Sequence, residues 1–310
     1  MIILLLFYIF LIILTLFIFV LSYFFVFGFV RKNLGNVDDM DDIINKPLQE
    51  YKEEIQRGMN YIDNKPHSRH TIKSYDRLNL SARYFDNSSD KTVILFHGYR
   101  SSAKRDFSCA VKMYSDFGFN VLLCDQRSHG ESEGKIITFG IKESEDVLSW
   151  CNYAVSKLGA KEILLGGMSM GATTVLLASN KNLPENVKGI VADCGFSSPV
   201  GIINNVAKNM FKLNPSFLLP FINLFCLVFG KFSIYGHSTV QAAKESELPI
   251  LFIHGKSDNF VPCNMSIEAF EIKKENRKLL IVDNAAHGVS YLVDRIKVEN
   301  AVKEFISNIF

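Results

Sequence analysis

A serine between two glycines is the first candidate for chemistry in this sequence. Ser169 lies in Gly167-Met168-Ser169-Met170-Gly171, after the apolar run Ile163-Leu164-Leu165 and before a helix-like run from Ala172 to Ala178. A strand, a sharp turn and a helix in this order predict a nucleophile elbow, in which a strained turn exposes the serine hydroxyl. The free N–H groups and positive dipole end of the helix would point at the same place. The pentapeptide alone is equally typical of an ordinary loop, so other residues must decide.

A general base and a supporting acid are the next requirement, because a serine hydroxyl has a pKa far above neutral. His287 follows the last predicted strand and is the candidate general base, and later general acid, for Ser169. Asp258 follows the preceding predicted strand and is the candidate that orients the imidazole. Asp193, just after the strand that follows the elbow, is a rival for this acid. The three favoured residues come in order, each beyond a different strand.

An acyl-transfer site also needs two N–H donors for the negative charge that develops on the carbonyl oxygen. We expect one donor from Met170, the residue after the serine. The other is expected from Tyr99, in the turn His97-Gly98-Tyr99 at the end of a strand. The Tyr99 ring could also line the acyl pocket, and its hydroxyl could serve as a third donor.

The elements that position these residues must bring several strand ends to one edge. Short apolar runs, typical of strands buried on both faces, alternate with helix-compatible segments. Thr71–Tyr75 and Leu78–Phe85 predict an antiparallel pair around Asp76-Arg77. The pattern predicts an α/β fold: a doubly wound, mostly parallel sheet of about eight strands with the site at the carboxyl ends. The other expected strands are Thr92–Phe96, Val121–Cys124, Ile163–Leu165, Ile190–Ala192, Ile250–Ile253 and Leu279–Val282, and the expected helices are Ala103–Phe117, Ile141–Leu158, Ala172–Asn180, Met265–Ile272 and Tyr291–Ile309.

A long insertion, at about residues 196–247, interrupts this alternation. One predicted helix begins at Ser198-Pro199, and a second, almost wholly apolar helix runs from Pro220 to Phe229 and ends at Gly230. The second helix needs an apolar cover, and we interpret the insertion as a lid over the strand ends. A buried helix without substrate contact and a lid that dips into a membrane are the alternatives. The first helix has an apolar face of Ile203, Val206 and Met210.

The first 30 residues contain no charged side chain. Roughly 20 apolar residues cross a bilayer as a helix, so Met1–Val30 is long enough to cross with tilt. A signal peptide would have a basic start, an apolar stretch of about 7–15 residues and a small-residue cleavage site. We therefore expect a retained transmembrane anchor rather than a signal peptide or a buried core helix. Arg31 and Lys32 follow it, which predicts a cell-membrane protein, single-pass, with its catalytic domain in the cytoplasm.

Residues 31–66 separate this anchor from the predicted catalytic domain at 67–310. The stretch 33–46 is polar and acidic and is expected to be a linker. From Pro47 onward the apolar spacing predicts an amphipathic helix that packs on the domain. Its apolar face consists of Leu48, Tyr51, Ile55, Met59 and Ile62.

Composition argues against several classes of function. A net charge of +2 in 310 residues leaves no electrostatic footprint for a nucleic-acid partner. The six cysteines are scattered without a C-x-x-C pair, which disfavours zinc and dithiol redox sites. Cys124 and Cys194 lie in strand-like runs and are expected in the core. His97, His254 and His287 end different strands without an acidic cluster, so we expect no metal and no other cofactor.

Several motifs together resemble those of the α/β-hydrolase superfamily. They are His97-Gly98-Tyr99, Asp125–Ser132, the Ser169 pentapeptide, His254–Asp258 and Ala286-His287-Gly288. The resemblance covers about residues 67–310 and lies with bacterial esterase-like members, related to the prolyl oligopeptidase and dienelactone hydrolase branches. It implies the order serine, aspartate, histidine that this sequence has. Ser128 stands where many members have glycine in a structural turn. Ser169 differs from the aspartate of the dehalogenase branch and the cysteine of dienelactone hydrolases.

The expected function is a membrane-anchored serine hydrolase that cleaves a carboxylic ester of a small, apolar acyl substrate through an acyl-enzyme. The same triad could serve a peptidase, a thioesterase or an acyltransferase, and the apolar insertion favours acyl esters. A catalytically silent fold that acts as a membrane-tethered binding module is the alternative from another class. A His287 ring beyond hydrogen-bond reach of Ser169 would favour that alternative.

Overall fold

The structure is a computed structural model that describes residues 1–31, 38, 46–209, 212 and 214–310. Lys32, Met210 and all of the expected linker at 33–46 except residues 38 and 46 lie outside the described residues.

One eight-stranded sheet organises the chain. Its strands are β1 (Ser68–Lys73), β2 (Asn79–Phe85), β3 (Lys91–Phe96), β4 (Asn120–Cys124), β5 (Glu162–Met168), β6 (Val187–Asp193), β7 (Ile250–Gly255) and β8 (Arg277–Val282). They lie in the order β1-β2-β4-β3-β5-β6-β7-β8. β2 is antiparallel to both of its neighbours, and all other pairs are parallel. The predicted sheet is therefore confirmed, and the burial of its inner strands on both faces explains their continuous apolar sequences.

Helices cover both faces of the sheet. They are α1 (Ile2–Phe29), α2 (Lys46–Gln49), α3 (Lys52–Asn64), α4 (Ala103–Asp106), α5 (Ala110–Asp116), α6 (Glu143–Leu158), α7 (Met170–Ala178), α8 (Pro199–Asn209), α9 (Leu219–Phe225), α10 (Thr239–Glu245), α11 (Asn264–Glu271), α12 (Ser290–Val293) and α13 (Arg295–Ile309). Trp150 of α6 and Leu176 of α7 belong to the core on one face. Val111 of α5 and Val302 of α13 belong to the core on the other. The sheet is thus doubly wound, as predicted.

Two predicted helices are each divided in the structure. The segment 103–117 forms α4 and α5, because the Ser108 carbonyl turns toward Gly58 of α3, where a Cβ would overlap it. The segment 291–309 forms α12 and α13, divided at Asp294. The Asp294 carboxylate accepts the Lys297 backbone N–H at 3.0 Å and so caps α13. A helix start set by a side-chain cap and a close backbone approach are both invisible to apolar periodicity.

The amphipathic segment after Pro47 packs on the domain, as predicted. It forms α2 and α3 rather than one helix, with an interruption at Tyr51. Ile55, Met59 and Ile62 are buried, and Ile62 joins one of the two cores of the sheet. This burial of one face is the expected behaviour of an amphipathic surface helix.

The insertion after β6 packs against α1. Its second helix is α9, which continues as one turn of π-helix over Cys226–Gly230. The apolar cover that this helix needs is α1, since Phe25 and Phe29 share a buried cluster with Leu219 and Ile222. In α8, Ile203 and Val206 of the predicted apolar face are partly buried and pack against two apolar clusters. The buried residues of this helix are Pro199 and Ile202.

Candidate active site

The turn between β5 and α7 carries Ser169. Its backbone has φ 54° and ψ −115°, a region that non-glycine residues rarely adopt. The Ser169 N–H donates to the Asp193 carbonyl at 2.8 Å, which ties the turn to the next strand. Gly171 is required because a Cβ there would overlap the Phe96 carbonyl. The strand, strained turn and helix predicted from the pentapeptide are therefore present.

A continuous chain of hydrogen bonds links the three residues proposed for catalysis. The Ser169 Oγ lies 2.9 Å from His287 Nε2, and His287 Nδ1 lies 2.6 Å from Asp258 Oδ2. Ser169 and Asp258 are buried, while His287 is partly exposed. The imidazole is thus held between an acceptor carboxylate and a hydroxyl whose proton it can take.

The Asp258 carboxylate is fixed by several donors. Its Oδ1 accepts the backbone N–H groups of Phe260 at 2.9 Å and Val261 at 2.8 Å. Its Oδ2 lies 3.2 Å from Nε2 of the buried His254. Burial alone would raise the pKa of Asp258, but the hydrogen bonds from His254 and His287 outweigh it and hold the pKa at about 2. The carboxylate is therefore ionised at neutral pH.

His254 was expected only to end its strand, and its contact with Asp258 was missed. Its Nδ1 lies 2.7 Å from Ser266 Oγ and its Nε2 lies 2.9 Å from the Val261 carbonyl. One sequence signal could have revealed this contact. His254 lies at the buried end of β7, four residues before Asp258 in the loop that follows the strand.

Asp193, the rival acid, does not contact the imidazole in this way. Its carboxylate accepts a long hydrogen bond of 3.5 Å from Ser290 Oγ and another from the Cys194 side chain. Burial raises the pKa of Asp193 to about 6. The carboxylate within hydrogen-bond reach of His287 Nδ1 is thus that of Asp258.

The two expected oxyanion donors lie on either side of Ser169. Met170 begins α7, and Tyr99 follows Gly98, whose ideal Cβ position lies 3.4 Å from the Ser169 Cβ. In the part of the chain that the structure describes, the backbone N–H groups of Tyr99 and Met170 have no hydrogen-bond partner. The Gly98 N–H, in contrast, donates to the Asp106 carboxylate at 2.7 Å. Both N–H groups are therefore available to a ligand.

A second histidine supports the Tyr99 turn, and sequence reasoning missed it too. His129 Nε2 accepts the Arg100 backbone N–H at 3.0 Å, and His129 Nδ1 lies 2.9 Å from the Arg127 carbonyl. Burial and the neighbouring His97 lower the pKa of His129 to about 3. The ring is therefore neutral, with its proton on Nδ1 and an acceptor on Nε2.

The Tyr99 side chain behaves differently from expectation. Its hydroxyl donates to the Gly28 carbonyl of α1 at 2.7 Å, and its ring stacks on Phe139 with centroids 5.3 Å apart. The prediction that this hydroxyl is a third oxyanion donor is therefore wrong, because its proton is committed to α1.

A cavity of about 580 Å³ lies beside Ser169. Its walls include Leu48 of α2, Ile55 of α3, Phe107 and, from α12, Tyr291 and Leu292. No described residue of the insertion lines it. The volume and the largely apolar wall are typical of small-molecule sites. The amphipathic segment after Pro47, which was expected only to pack on the domain, thus helps to form this space.

The insertion instead covers the other side of the strand ends. Phe196 and Ile202 pack with Met170 and Val261 in a separate buried cluster. The expectation that the substrate space lies under the insertion therefore does not hold for this cavity, because the insertion fills its own side with side chains.

The three strand-end histidines do not meet as metal ligands. His97 Nε2 accepts the Gln126 N–H at 3.0 Å, and both ring nitrogens of His254 contact protein groups. Among the described residues, the one close group of potential ligands is Cys194, Asp258 and His287. Burial raises the pKa of the Cys194 thiol well above its ordinary value, so it stays protonated and is a poor ligand.

Comparison with known proteins agrees with this geometry. A family model described as the alpha/beta hydrolase fold matches residues 91–232. An esterase from Pyrococcus furiosus, Pf2001, superimposes with a TM-score of 0.65 and 26% identity, over 83% of this chain and 95% of that chain. The chain belongs to the α/β-hydrolase superfamily. Ser128, where many members of the superfamily have glycine, has φ 64°, a backbone conformation that favours glycine.

Two further relatives are proteins without an established activity. The Bacillus subtilis protein YqkD is 28% identical over 218 residues, which are 70% of this chain and 71% of YqkD. The Saccharomyces cerevisiae protein YNL320W, named a membrane protein, is 22% identical over 251 residues, 79% of this chain and 83% of its own length. In this chain α1 is long and apolar enough to cross a membrane, with a mean hydropathy of 3.3 in its most apolar window.

Proposed function

We propose that this α/β hydrolase is a membrane-anchored serine hydrolase that cleaves a carboxylic ester through an acyl-enzyme. The observation that carries the proposal is the chain of hydrogen bonds from Ser169 Oγ to His287 Nε2 and from His287 Nδ1 to Asp258. His287 lies within reach of the hydroxyl, which argues against the alternative of a catalytically silent binding module.

The acylation step follows from these contacts. His287 Nε2 takes the proton of Ser169 as its Oγ attacks the ester carbonyl carbon. The ionised Asp258 holds the ring and stabilises the imidazolium. The N–H groups of Tyr99 and Met170 donate to the oxyanion of the tetrahedral intermediate. The intermediate collapses when His287 gives its proton to the alcohol oxygen, which leaves with the electrons of the broken C–O bond.

Deacylation repeats the same steps with water in place of serine. His287 takes a proton from water, whose oxygen attacks the acyl carbon. The second tetrahedral intermediate then releases the carboxylic acid, and the proton returns from His287 to Ser169. The ester and one water molecule are the reactants that balance the two halves of the reaction, and every proton passes through His287.

The cavity supports an ester with an apolar acyl group. Its wall carries Leu48, Phe107 and Leu292 near Ser169, and burial of each CH₂ contributes about 0.8 kcal/mol. The structural likeness to the Pf2001 esterase supports an ester over an amide or a thioester.

An active-site probe tests this proposal directly. A fluorophosphonate should label the full-length protein, and Ser169→Ala should abolish both labelling and hydrolysis of p-nitrophenyl esters. Ser156→Ala, at an exposed serine of α6, is the matched control and should keep both. Persistent labelling of the Ser169→Ala protein would exclude the proposal. Parallel assays with p-nitroanilides and thioesters of the same acyl group separate an esterase from a peptidase or a thioesterase.

The membrane part of the proposal rests on α1. We place it across the bilayer as a single span, with Arg31 and the hydrolase domain on the cytoplasmic side. The test is protease treatment of intact cells and of inverted membrane vesicles. The domain should resist protease in cells and be digested in inverted vesicles, and the reverse pattern would exclude this orientation.

A further inference from the structure

The insertion contains an apolar segment that the proposed chemistry does not use. No charged side chain occurs from Pro215 to Gly230, and Lys212 and Lys231 stand on either side. Its inner side packs on α1, whereas its outer side faces away from the protein. The exposed large apolar residues are Phe217, Leu224, Leu227, Val228 and Phe229. An apolar patch of this kind marks an interaction surface rather than a water-facing one.

This segment lies alongside α1 in a definite register. The ring of Phe17 contacts that of Phe221 with centroids 5.0 Å apart. Further along both segments, Phe25 contacts Phe229 at 5.9 Å. The outer side of the segment therefore adjoins the exposed apolar side of α1, and the two form one continuous surface.

The depth of this surface follows from helix geometry. The 28 residues of α1 are about 42 Å long, whereas the hydrocarbon of a bilayer is about 30 Å thick, or 20 residues. If Ile2 lies at one boundary, the other boundary falls near Leu21. Phe17 is then about 6 Å inside the hydrocarbon, together with its neighbours Phe217 and Phe221. This is the shallowest placement that fills the hydrocarbon.

We propose that Pro215–Gly230 is a half-inserted membrane segment that packs beside α1, with lipid acyl chains against its exposed side. The apolar helix Leu219–Gly230 is about 18 Å long, too short to cross. It therefore enters and returns on one side of the bilayer, with Lys212 and Lys231 near the head groups. The inference rests on the proposed membrane attachment and deepens it, since two elements fix the orientation of the domain.

Tryptophan quenching by brominated lipids tests the insertion in the full-length protein. The chain has one tryptophan, the buried Trp150, which gives the same background in every variant. Phe217→Trp and Phe229→Trp report on the segment, and Phe10→Trp reports on the middle of α1. Ile296→Trp, at an exposed apolar residue of α13, is the matched control outside the membrane. Each variant is placed in phosphatidylcholine vesicles with and without bromine on the acyl chains.

We expect Phe217→Trp to lose most of its added fluorescence with brominated lipid, as Phe10→Trp does, while Ile296→Trp loses none. Phe229→Trp should be quenched best by bromine close to the head group. If Phe10→Trp is quenched and both segment variants behave like Ile296→Trp, the half-inserted segment is excluded and the anchor stands. If Phe10→Trp is not quenched either, the proposed membrane attachment fails with it.

A different observation concerns the end of α1. The last carbonyls of a helix lack intrahelical donors, and here the donors come from the turn proposed to hold the oxyanion. The Tyr99 hydroxyl donates to the Gly28 carbonyl at 2.7 Å, and the Arg100 guanidinium donates to the Phe27 carbonyl at 2.6 Å. The Arg100 cation also faces the negative end of the helix dipole.

Ring contacts support the same junction. The Phe29 ring of α1 contacts the Phe139 ring with centroids 5.1 Å apart, and Phe139 stacks on Tyr99 at 5.3 Å. The Phe29 carbonyl also accepts the Ile137 N–H at 2.7 Å. The end of α1 is therefore held to the Tyr99 turn by both hydrogen bonds and aromatic packing.

We infer that α1 positions the oxyanion turn, with the Tyr99 hydroxyl and the Arg100 guanidinium as positioning groups. The inference rests on the proposed hydrolase activity and makes the membrane helix part of the active-site framework. Because the backbone N–H of Tyr99 is the proposed donor, loss of the hydroxyl bond should displace the donor without removing it.

Tyr99→Phe tests this coupling because it deletes one hydroxyl and leaves the ring and the backbone N–H. We expect kcat on a p-nitrophenyl ester to fall roughly 2- to 10-fold, the range for loss of one hydrogen bond, with KM unchanged. Affinity for a boronic acid that mimics the tetrahedral intermediate should fall by the same factor. Active-site titration with the fluorophosphonate corrects for any unfolded fraction.

Tyr153→Phe is the matched control. It also deletes one hydroxyl, which lies 2.8 Å from His70 Nδ1, and neither residue lines the cavity beside Ser169, so its loss should leave kcat unchanged. If Tyr99→Phe and Arg100→Gln keep both kcat and boronate affinity at the Tyr153→Phe level, the coupling is excluded. A Ser169→Ala variant that remains active would exclude the proposed serine hydrolase activity, and this outcome is distinct from the exclusion of the coupling.

Discussion

The two sides of Ser169 are both apolar, but one side is an open cavity and the other is filled with side chains. On one side an open cavity is bounded by Leu48, Phe107 and Leu292. On the other side Ile202 of the insertion packs with Met170 in a closed cluster. An apolar helix beyond the strand ends is therefore no guide to the substrate space. What distinguishes the sides is whether neighbouring side chains fill the volume, and that depends on contacts between distant segments.

Two acids, Asp258 and Asp193, give the largest expected contrast between these sides. Asp258 is held by the Val261 N–H on the closed side, whereas Asp193 borders the cavity. Asp258→Asn should lower kcat roughly 10⁴-fold, because the imidazole then adopts the wrong tautomer. Asp193→Asn should cost less than about tenfold, since its carboxylate does not hold His287. Steady-state assays measure kcat for both variants. Equal decreases in kcat would contradict the assignment of Asp258 as the acid that holds His287.

Truncation on the closed side should affect stability and spare catalysis. Ile202→Ala removes a buried side chain from a filled cluster and should cost about 2–5 kcal/mol of unfolding free energy. Denaturant titration measures this loss. The kcat per titrated active site should stay unchanged, because no cavity wall is altered. A change in acyl-chain preference would show that the insertion contributes to the substrate space.

Asp193 predicts a pH dependence of stability. Burial raises its folded-state pKa to about 6 from the ordinary value of 3.8, so the fold favours the protonated acid. The stabilisation is fully present below about pH 4 and is lost as the pH rises through 6, by at most about 3 kcal/mol. Asp193→Asn should therefore gain in melting temperature relative to wild type between pH 4 and pH 7.

The exposed Asp283 is a control for this effect. Its ion pair with Lys256 lowers its pKa, so Asp283→Asn should not gain stability relative to wild type as the pH rises. A melting-temperature difference between Asp193→Asn and wild type that stays constant from pH 4 to pH 7 would contradict the burial argument.

The smallest expected effect is the increase in kcat/KM for each methylene group that is added to the acyl chain in the cavity. Wild-type kcat/KM should rise roughly fourfold for each CH₂ added to the acyl group until the cavity is filled, since each buried CH₂ contributes about 0.8 kcal/mol. Leu292→Trp should shorten the optimal chain and leave acetate hydrolysis unchanged. A panel of p-nitrophenyl esters of graded length measures both. No dependence on chain length would show that the acyl group binds elsewhere.

Much of the fold was predictable because it depends on local patterns. Runs such as Val121–Cys124 are apolar since both faces of a parallel sheet are covered. The glycines around Ser169 are needed where the turn meets Phe96. The breaks at Ser108 and Asp294 were not predictable, because a close backbone approach and a side-chain cap replace periodicity there.

The supporting residues were harder to predict than the residues they support. His254 and Asp258 lie four residues apart in one motif, and this spacing allows the contact between ring and carboxylate without establishing it. His129 also lies in a recognised motif, but its partner Arg100 is in another segment. The role of Tyr99 was mistaken for the same reason, since the Gly28 carbonyl is 71 residues away.

The sequence by itself determined the order of strands and helices, the Ser169 turn, the sequence positions of Asp258 and His287, and the apolar character of α1. Each of these features follows from a local sequence pattern, because the conformation or burial of a residue there depends on its near neighbours in the chain. Only the tertiary structure decided that the end of α1 meets the Tyr99 turn and that the insertion packs on α1 while the cavity opens elsewhere. Those arrangements depend on which apolar surfaces pack together between distant segments. Because burial of apolar area is non-directional, the sequence alone does not specify the partner of each surface.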